Sequence, residues 1–222
     1  MDLDLKKHRS LAFEQIDIYP VTCEGLSNNR PDEDILHGII DGGAKIVQLR
    51  DKTSSKRRFY EKALRFRQIT SNKNILLIIN DHLDVALCVD ADGIHLGQDD
   101  LPVDVARRLA PNLIIGASTH SVNEAKRAEA LGADYVNIGP IFSTKTKSDV
   151  HHFLGSSAIS SIARCIQIPF TVMGGINESN LQEVLSCGAK KVAMVTAITK
   201  AEDIDNTVKR IRQTIRSYHS LR

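Results

Sequence analysis

Eight short apolar runs, rich in β-branched residues, recur along the chain and alternate with longer polar stretches. Each run is bounded by Gly, Pro, Asn, Asp or Ser, and most are apolar almost throughout, which is typical of strands buried on both faces of a parallel sheet. This repeated pattern restricts the fold more than any other feature. The predicted strands are IDIYPVT (16–22), KIVQLR (45–50), ILLIIN (75–80), GIHLG (93–97), LIIGAS (113–118), YVNIG (135–139), PFTVMGG (169–175) and KVAMVT (191–196).

The stretches between these runs have apolar residues three or four positions apart, as an amphipathic helix requires. In one of them, Phe59 and Phe66 fall on one face while Arg and Lys fill the other. Asp81, Ser121 and Asn177 stand at the starts of three stretches as predicted N-cap residues. Helices are predicted at 32–41, 56–70, 82–89, 102–110, 121–131, 155–166, 177–187 and 203–219.

Strand and helix alternate eight times, and no Pro-, Gly- or Ser-rich linker divides the chain. The pattern predicts an α/β fold, a single (β/α)8 TIM barrel over residues 16–222, although 222 residues is short for a fold that typically has about 250. Residues 1–15 are predicted to be a short N-terminal extension whose helix caps the bottom of the barrel. The competing fold is a doubly wound open sheet, whose GxGxxG dinucleotide motif does not occur in this sequence.

The near balance of charge argues against a nucleic-acid or membrane partner. Lys and Arg number 29 against 27 Asp and Glu, a net charge of +2, and aromatic residues make up 5% with no Trp. No stretch reaches the roughly 18 consecutive apolar residues that a membrane helix needs. We therefore expect small-molecule substrates as partners, with no nucleic acid and no membrane, and the sequence leaves open whether the protein is a homo-oligomer.

The cysteines favour a reduced, cytoplasmic protein. They are far apart in the sequence, they form no CxxC pair, and no secretory segment begins the chain. A structural zinc site would need ligands at short spacing, which these residues do not provide. The four cysteines are Cys23, Cys88, Cys165 and Cys187.

Polar residues and glycines collect where the predicted strands end. In a TIM barrel the active site lies at the carboxyl ends of the strands, so these residues are the candidates for chemistry. The segments concerned are Gln48 to Lys52, Asn80-Asp81, Gln98 to Asp100, Ser118 to His120, Thr144 to Lys147, Gly174-Gly175 and Thr196.

Gln48 and Arg50 alternate onto one face of the second predicted strand, so both can point into the barrel mouth. Arg offers a planar fork suited to phosphate and Lys a compact charge, so Arg50 with Lys52 predicts a clamp for a polyanion. The alternative is that Arg50 forms a structural salt bridge with an acid.

Asp81 and Asp100 follow the third and fourth predicted strands, which are neighbours in a barrel. Two carboxylates beside substrate phosphates are a typical magnesium site, so we expect Mg²⁺ there. The alternative for the Asp81 side chain is to cap the next helix. Charge alone does not distinguish Asp100 from Asp99.

Three further features are more ambiguous. The loop 144–147 combines hydroxyls and ammonium groups that suit an anion, a charged heterocycle or a lid, but a solvated loop is the alternative. Gly175 and Thr196 end strands at which many barrels bind a monophosphate, although a tight turn also needs glycine. His120 is either a general acid or base or a helix-start residue.

Two anion sites, one polyanionic and one for a monophosphate, suggest that a diphosphate-activated fragment is joined to a phosphorylated one. Seven ordered motifs resemble those of the thiamine-phosphate synthase family and together cover roughly residues 16–205. They are VQLRDK (47–52), INDHLDVAL (79–87), ADGIHLGQDDLP (91–102), IGASTHS (115–121), ADYVNIGPIFSTKTK (133–147), MGGI (173–176) and VAMVTAI (192–198).

The resemblance implies a transferase of thiamine biosynthesis. Such an enzyme joins hydroxymethylpyrimidine diphosphate to hydroxyethylthiazole phosphate and releases thiamine phosphate and pyrophosphate. It implies that Asp81 and Asp100 hold magnesium and that Gln48 and Ser118 contact the pyrimidine and its leaving group. Four residues are implied to contact the pyrophosphate, namely Arg50, Lys52, Asn80 and Lys147.

The resemblance also implies where the thiazole lies and how the reaction runs. Thr144 and Thr146 are implied to lie by the thiazole or its phosphate, and Gly175, Val195 and Thr196 to bind that phosphate largely through backbone amides. Pyrophosphate leaves first, the aminopyrimidine stabilises the resulting methylene cation, and the thiazole nitrogen attacks it. No protein nucleophile takes part.

Two other functions fit the barrel. The first is a thiazole tautomerase, in which His120 would transfer the proton, but such an enzyme has no reason to keep Gln98 to Asp100 or Thr144 to Lys147. The second is a non-catalytic barrel that binds thiamine phosphate as a sensor.

Overall fold

The computed structural model describes residues 2–144 and 153–220, so Thr146 and Lys147 lie outside the described residues. Eight parallel strands form one sheet in the order β1-β8-β7-β6-β5-β4-β3-β2. A parallel bridge between Val21 and Gln48 joins the first strand to the second and closes the sheet into the predicted barrel. The strands are β1 (Ile18–Pro20), β2 (Ile46–Leu49), β3 (Leu76–Asn80), β4 (Gly93–Leu96), β5 (Ile114–Thr119), β6 (Tyr135–Ile138), β7 (Phe170–Val172) and β8 (Val192–Met194).

The helices surround this barrel, and a short 3₁₀ helix (Glu24–Leu26) follows β1. Within the part of the chain that the structure describes, no helix is both long enough and apolar enough to cross a membrane. The α-helices are α1 (Asp2–Glu14), α2 (Asp32–Asp41), α3 (Lys56–Ser71), α4 (Leu83–Cys88), α5 (Val103–Leu109), α6 (Val122–Ala130), α7 (Ser157–Ala163), α8 (Leu181–Ser186), α9 (Thr196–Thr199) and α10 (Ile204–Ser220).

Local chemistry explains where the observed elements differ from the predicted ones. Strand β7 ends before Gly174 and Gly175, whose φ angles of 105° and 64° turn the chain out of the extended conformation. Strand β8 ends at Met194, because Val195 is already the N-cap residue of the short helix α9. Helix α9 was not among the predicted elements.

Of the predicted N-caps, Ser121 is confirmed, since its Oγ accepts the Glu124 N–H at 3.2 Å. Asp81 is wrong as a cap: α4 begins after His82, and the Asp81 side chain is paired elsewhere. Asn177 is not the cap residue of α8 either, because it lies in a turn that precedes the helix. In that turn the Asn177 N–H donates to Asn180 Oδ1 at 2.8 Å.

The apolar core has two main parts, and a third, small cluster of Val21, Cys23 and Val195 lies at the carboxyl ends of β1 and β8. The larger lies between the strands and the helices, and it includes the outward-facing residues Ile18, Val47 and Leu77. The smaller lies inside the barrel, where inward-facing residues alternate with the outward ones along each strand. The members of this inner cluster are Phe13, Ile16, Tyr19, Ile46, Leu76, Ile78, Ile114, Tyr135 and Ala193.

Helix α1 covers the amino-terminal end of the barrel. Its Phe13 is 2% exposed and its ring centroid lies 4.4 Å from that of Tyr135 and 6.4 Å from that of Tyr19. Its Arg9 is also buried, and Arg9 Nε pairs with Asp92 at 3.2 Å. The inner core is therefore closed from below, and an accessible pocket remains at the carboxyl end.

Candidate active site

A pocket opens at the carboxyl end of the barrel, where the strand ends bring the predicted polar residues together. The predicted residues that line it are Gln48, Arg50, Asn80, Ser118, Thr144, Gly175, Val195 and Thr196. The remaining predicted residues of the described chain, Lys52, Asp81 and Asp100, follow β2, β3 and β4 at the same end but are not part of the lining.

Arg50 follows β2 and projects into the pocket. Its N–H donates to Thr22 Oγ1 at 3.4 Å, and its Nη1 donates to Cys23 Sγ at 3.1 Å. No salt bridge among the described residues includes Arg50, so the alternative of a structural salt bridge is not what the structure has. Arg50 therefore lines the pocket without an acidic partner among the described residues.

Asp81 and Asp100 lie side by side at the rim of the pocket. Burial and the adjacent Asp100 raise the pKa of Asp81 above its usual value, while an ion pair with Lys52 acts in the opposite direction. Asp100 Oδ2 accepts the Gly97 N–H at 2.7 Å, whereas Asp99 is exposed. The structure thus distinguishes Asp100 from Asp99 and brings two carboxylates and one ammonium to one point.

A second acidic group lies near this rim. Glu24, Asp32 and Asp51 have ligand atoms within 4.8 Å of one another, a spacing that suits a cation. The ammonium of Lys62 contacts all three carboxylates, so a protein cation already occupies the centre of this group.

A chain of buried hydrogen bonds crosses the pocket floor, and the sequence analysis did not predict it. His95 lines the pocket, with its Nε2 2.9 Å from Ser118 Oγ and its Nδ1 3.0 Å from Tyr135 Oη. Tyr135 Oη lies 2.8 Å from Tyr19 Oη, to which Gln48 Nε2 donates at 3.0 Å. The chain therefore links Gln48 to Ser118, two predicted site residues on opposite sides of the floor.

The sequence contains a signal for this chain of hydrogen bonds. His95 is a polar residue inside β4, and side chains alternate between the two faces of a strand, so it can face the interior. The predicted site residues lie only at the strand ends and after them, so they do not include His95. Burial raises the pKa of Tyr19 and of Tyr135, so both stay protonated phenols that can donate and accept. Gly116 makes room, because a Cβ there would lie 2.0 Å from Cζ of Tyr135.

Backbone groups form another wall of the pocket, after β7 and β8. Gly175 has φ 64°, and a Cβ on it would lie 2.5 Å from the Ser143 carbonyl oxygen, so a larger residue does not fit. Val195 and Thr196 also line the pocket, at the start of α9. This wall offers backbone N–H groups and one hydroxyl, but no charged side chain.

His120 also lines the pocket and is half exposed. Its Nδ1 lies 2.9 Å from Glu124 Oε2, and the same oxygen accepts the His120 backbone N–H at 2.7 Å. Glu124 thus holds the histidine at the start of α6, which is the helix-start role considered for it, while the ring still reaches the pocket.

Comparisons with known proteins agree with this geometry. The family model described as thiamine monophosphate synthase matches residues 18–198. The thiamine-phosphate synthase of Pelotomaculum thermopropionicum is 45% identical over 202 residues, 90% of this chain and 93% of that protein. That of Halalkalibacterium halodurans is 47% identical over 191 residues, 86% of this chain and 90% of that protein.

The solved structure of thiamine phosphate pyrophosphorylase from Pyrococcus furiosus superposes with a TM-score of 0.84 at 36% identity, covering 91% of this chain and 96% of that one. A 3-hexulose-6-phosphate synthase, with a TM-score of 0.69 at 14% identity, shares the fold alone. The matches confirm the predicted barrel, the transferase class and the role in thiamine biosynthesis. The chain belongs to the thiamine monophosphate synthase family.

Proposed function

We propose that the pocket binds hydroxymethylpyrimidine diphosphate and hydroxyethylthiazole phosphate together and transfers the pyrimidinylmethyl group from diphosphate to the thiazole nitrogen. One observation carries this proposal. A single pocket has a cationic side chain, Arg50, on one wall and backbone donors at Gly175 and Val195 on the other. Two anionic substrates can therefore bind at separate walls of one pocket with their reactive ends adjacent.

The diphosphate would lie at the wall formed by Arg50 and Asn80, with Lys52 at the rim. Arg50 supplies a planar fork of donors that its contact with Cys23 Sγ holds in place. The Asn80 side chain is 8% exposed and lines the pocket beside it. The sequence resemblance adds Lys147 to this wall, which stays a prediction.

Magnesium fits the pair of Asp81 and Asp100. Asp100 raises the pKa of the neighbouring Asp81, so a cation between the two carboxylates is favoured, and oxygen ligands are those that Mg²⁺ prefers. We expect these two residues to hold the ion, which when bound supplies positive charge beside the departing pyrophosphate.

The pyrimidine would lie on the pocket floor between Gln48 and Ser118. The Gln48 amide donates to Tyr19 Oη, which fixes the orientation of the amide and leaves its oxygen available to a ligand. His95 is held by Tyr135 in the same way and orients Ser118. The floor thus presents a fixed set of donors and acceptors to a flat heterocycle.

The thiazole phosphate would lie at the wall formed by Gly175, Val195 and Thr196, here called the glycine wall, against the backbone N–H groups of these residues. The absence of a Cβ on Gly175 permits close approach of the phosphate. Thr144 lines the pocket above it, and Thr146 is expected nearby from the sequence. Backbone donors suit a monophosphate because they add no competing charge.

In the proposed reaction the bond between the methylene carbon and the diphosphate oxygen breaks, and its electron pair leaves with pyrophosphate. Arg50 and Lys52 stabilise the charge that develops on the leaving group, an effect worth about 3 kcal/mol for one well-placed donor. The lone pair of the thiazole nitrogen then forms the new carbon–nitrogen bond. No side chain needs to act as a nucleophile.

The test is direct: incubate the purified protein with both phosphorylated substrates and magnesium, and measure thiamine phosphate and pyrophosphate. We expect the two products in equal amounts. The matched control is Lys56→Ala, which removes an exposed cation at the same end of the barrel that pairs with Asp84 outside the pocket. It should form product at the normal rate.

A thiazole tautomerase remains the second candidate, because His120 lines the pocket and is paired with Glu124. It predicts thiazole isomerisation without pyrophosphate release, and loss of that activity in His120→Ala. Binding of thiamine phosphate with no turnover of either kind would instead indicate a sensor. Either result would overturn the proposal.

A cytoplasmic location stays a prediction, and it is supported by four free cysteines in the described chain. The oligomeric state stays open.

A further inference from the structure

Lys62 lies in the middle of α3, and its side chain is 11% exposed. Its ammonium contacts three carboxylates: Glu24 Oε2 at 2.6 Å, Asp32 Oδ2 at 2.7 Å and Asp51 Oδ2 at 2.8 Å. These acids come from three separate segments, namely the 3₁₀ helix after β1, the start of α2 and the loop after β2. One buried cation therefore joins three separate segments of the chain at the mouth of the barrel.

The charges of this cluster are strongly coupled. Burial alone would lower the pKa of Lys62, but the hydrogen bonds that its ammonium donates to the three carboxylates raise it above its usual value. Burial raises the pKa of Asp32, and Lys62 opposes that effect. Asp32 Oδ1 is buried with no hydrogen-bond partner in the described structure, so this carboxylate depends on Lys62 for its stabilisation.

Asp51 connects the cluster to the proposed diphosphate wall. It stands between Arg50 and Lys52, and its Oδ1 accepts the N–H groups of Thr53 and Ser54, each at 3.0 Å. Its other oxygen is bound to Lys62. The carboxylate therefore both shapes the turn after β2 and ties that turn to α3.

Glu24 connects the cluster to the other side of Arg50. It follows Cys23, whose Sγ accepts a hydrogen bond from Arg50 Nη1, and Thr22 Oγ1 accepts the Arg50 N–H. The Lys62 ammonium thus holds the segment that follows Arg50 and the segment that Arg50 contacts.

We propose that Lys62 is a positioning residue for the diphosphate substrate: through Glu24 and Asp51 it fixes the two loops that set the direction of Arg50 and Lys52. This inference rests on the proposed diphosphate site. Lys62 itself is not part of the pocket lining, so it acts through its neighbours and not on the substrate. The glycine wall at Gly175 lies outside the cluster and should not depend on it.

The test is steady-state kinetics of Lys62→Met with each substrate varied in turn. We expect KM for the pyrimidine diphosphate to rise by roughly ten- to a hundredfold, because small misplacements of binding groups have effects of that order, and KM for the thiazole phosphate to stay unchanged. Lys62→Arg keeps the charge and should recover most of the affinity. The matched control is Arg65→Met on the same helix, whose partner Glu33 is outside the cluster, and both KM values should stay normal.

Glu24→Gln provides a milder change if Lys62→Met does not fold, since Glu24 is half exposed and two other carboxylates remain. It should raise KM for the diphosphate alone, by a smaller factor. Equal rises in both KM values, or no rise in either folded variant, would overturn the proposal for Lys62. Failure of the wild-type protein to form product would instead overturn the proposed function, so the two failures are distinguishable.

Discussion

At the amino-terminal end of the barrel, three acids each stand directly before a strand: Asp17 before β1, Asp92 before β4 and Asp134 before β6. Each accepts a strand N–H, at 2.7, 2.9 and 2.8 Å respectively, and each also pairs with an arginine. The charges at this end are thus satisfied within the protein.

At the carboxyl end the same residue types are arranged differently. The Arg50 guanidinium contacts a thiol and faces the pocket, and Asp81 lies against a second acid as well as Lys52. Charges that are paired internally hold strands and helices together, whereas charges that point into a pocket remain available to a ligand. The comparison predicts that mutations at the mouth change activity and that mutations at the bottom change stability.

Arg50→Ala should have the largest effect. It removes the main cationic group of the diphosphate wall, and we expect kcat/KM to fall by about 10²- to 10³-fold while the thermal midpoint stays near that of the wild type. Steady-state kinetics and a thermal melt measure the two effects. A near-normal rate would remove Arg50 from the proposed site.

Asp92→Ala should show the reverse pattern. It leaves Arg9, which is 3% exposed, and Arg67 without this partner, and it leaves the Leu77 N–H without its acceptor. We expect the free energy of unfolding in urea to fall by about 3 kcal/mol, with the kcat of the folded protein unchanged. Asp90→Asn is the control, because the Asp90 side chain is 81% exposed and Asn tolerates the left-handed backbone conformation there, at φ 51°, so loss of the charge should cost little.

Acid should weaken the bottom of the barrel through Asp17. Burial alone would raise the pKa of Asp17, but hydrogen bonds from Arg212, the Ile18 N–H and Arg216 hold it below its usual value. The carboxylate therefore adds stability above the unfolded-state pKa of about 3.9, and this contribution is lost as the pH falls through the lower folded-state pKa.

Asp17→Asn tests this pH dependence. We expect the variant to be less stable than the wild type at pH 7, and the difference in urea midpoint to shrink as the pH is lowered below about 4. A difference independent of pH would show that the ionised carboxylate is not what stabilises this end.

Lys56→Ala should have the smallest effect and sharpens the comparison, because it removes a cation at the mouth that is already paired. Its contact with Asp84, at 2.7 Å, joins two side chains that are 59% and 56% exposed. We expect a change of less than about 0.5 kcal/mol in the free energy of unfolding and no change in rate. A large loss of activity would mean that the location of a charge at the mouth, and not whether the charge is paired, determines its effect on activity.

Much of the site followed from strand order alone. The ends of parallel strands meet at one edge, so Gln48, Asn80, Ser118 and Thr196 could be assigned to one pocket without knowledge of any distance. Strand limits were less predictable, since Gly174 leaves the extended conformation inside a run that reads as a strand.

The partner of each side chain could not be predicted in the same way. Asp81 pairs with Lys52 instead of capping α4, and His95 belongs to the pocket floor although it lies inside a strand. The local sequence limits which partners a side chain can have, but the partner that it contacts depends on groups from other strands.

The sequence by itself determined the barrel, the end at which polar residues collect and the family, because strand periodicity and ordered motifs are local properties of the chain. The tertiary structure alone decided which charges are paired. Tyr19 and Tyr135 share a hydrogen bond although they are 116 residues apart, and Lys62 joins three segments that no local pattern connects. A hydrogen bond requires donor and acceptor atoms within roughly 3.5 Å of each other, and closure of the barrel is what brings such residues that close.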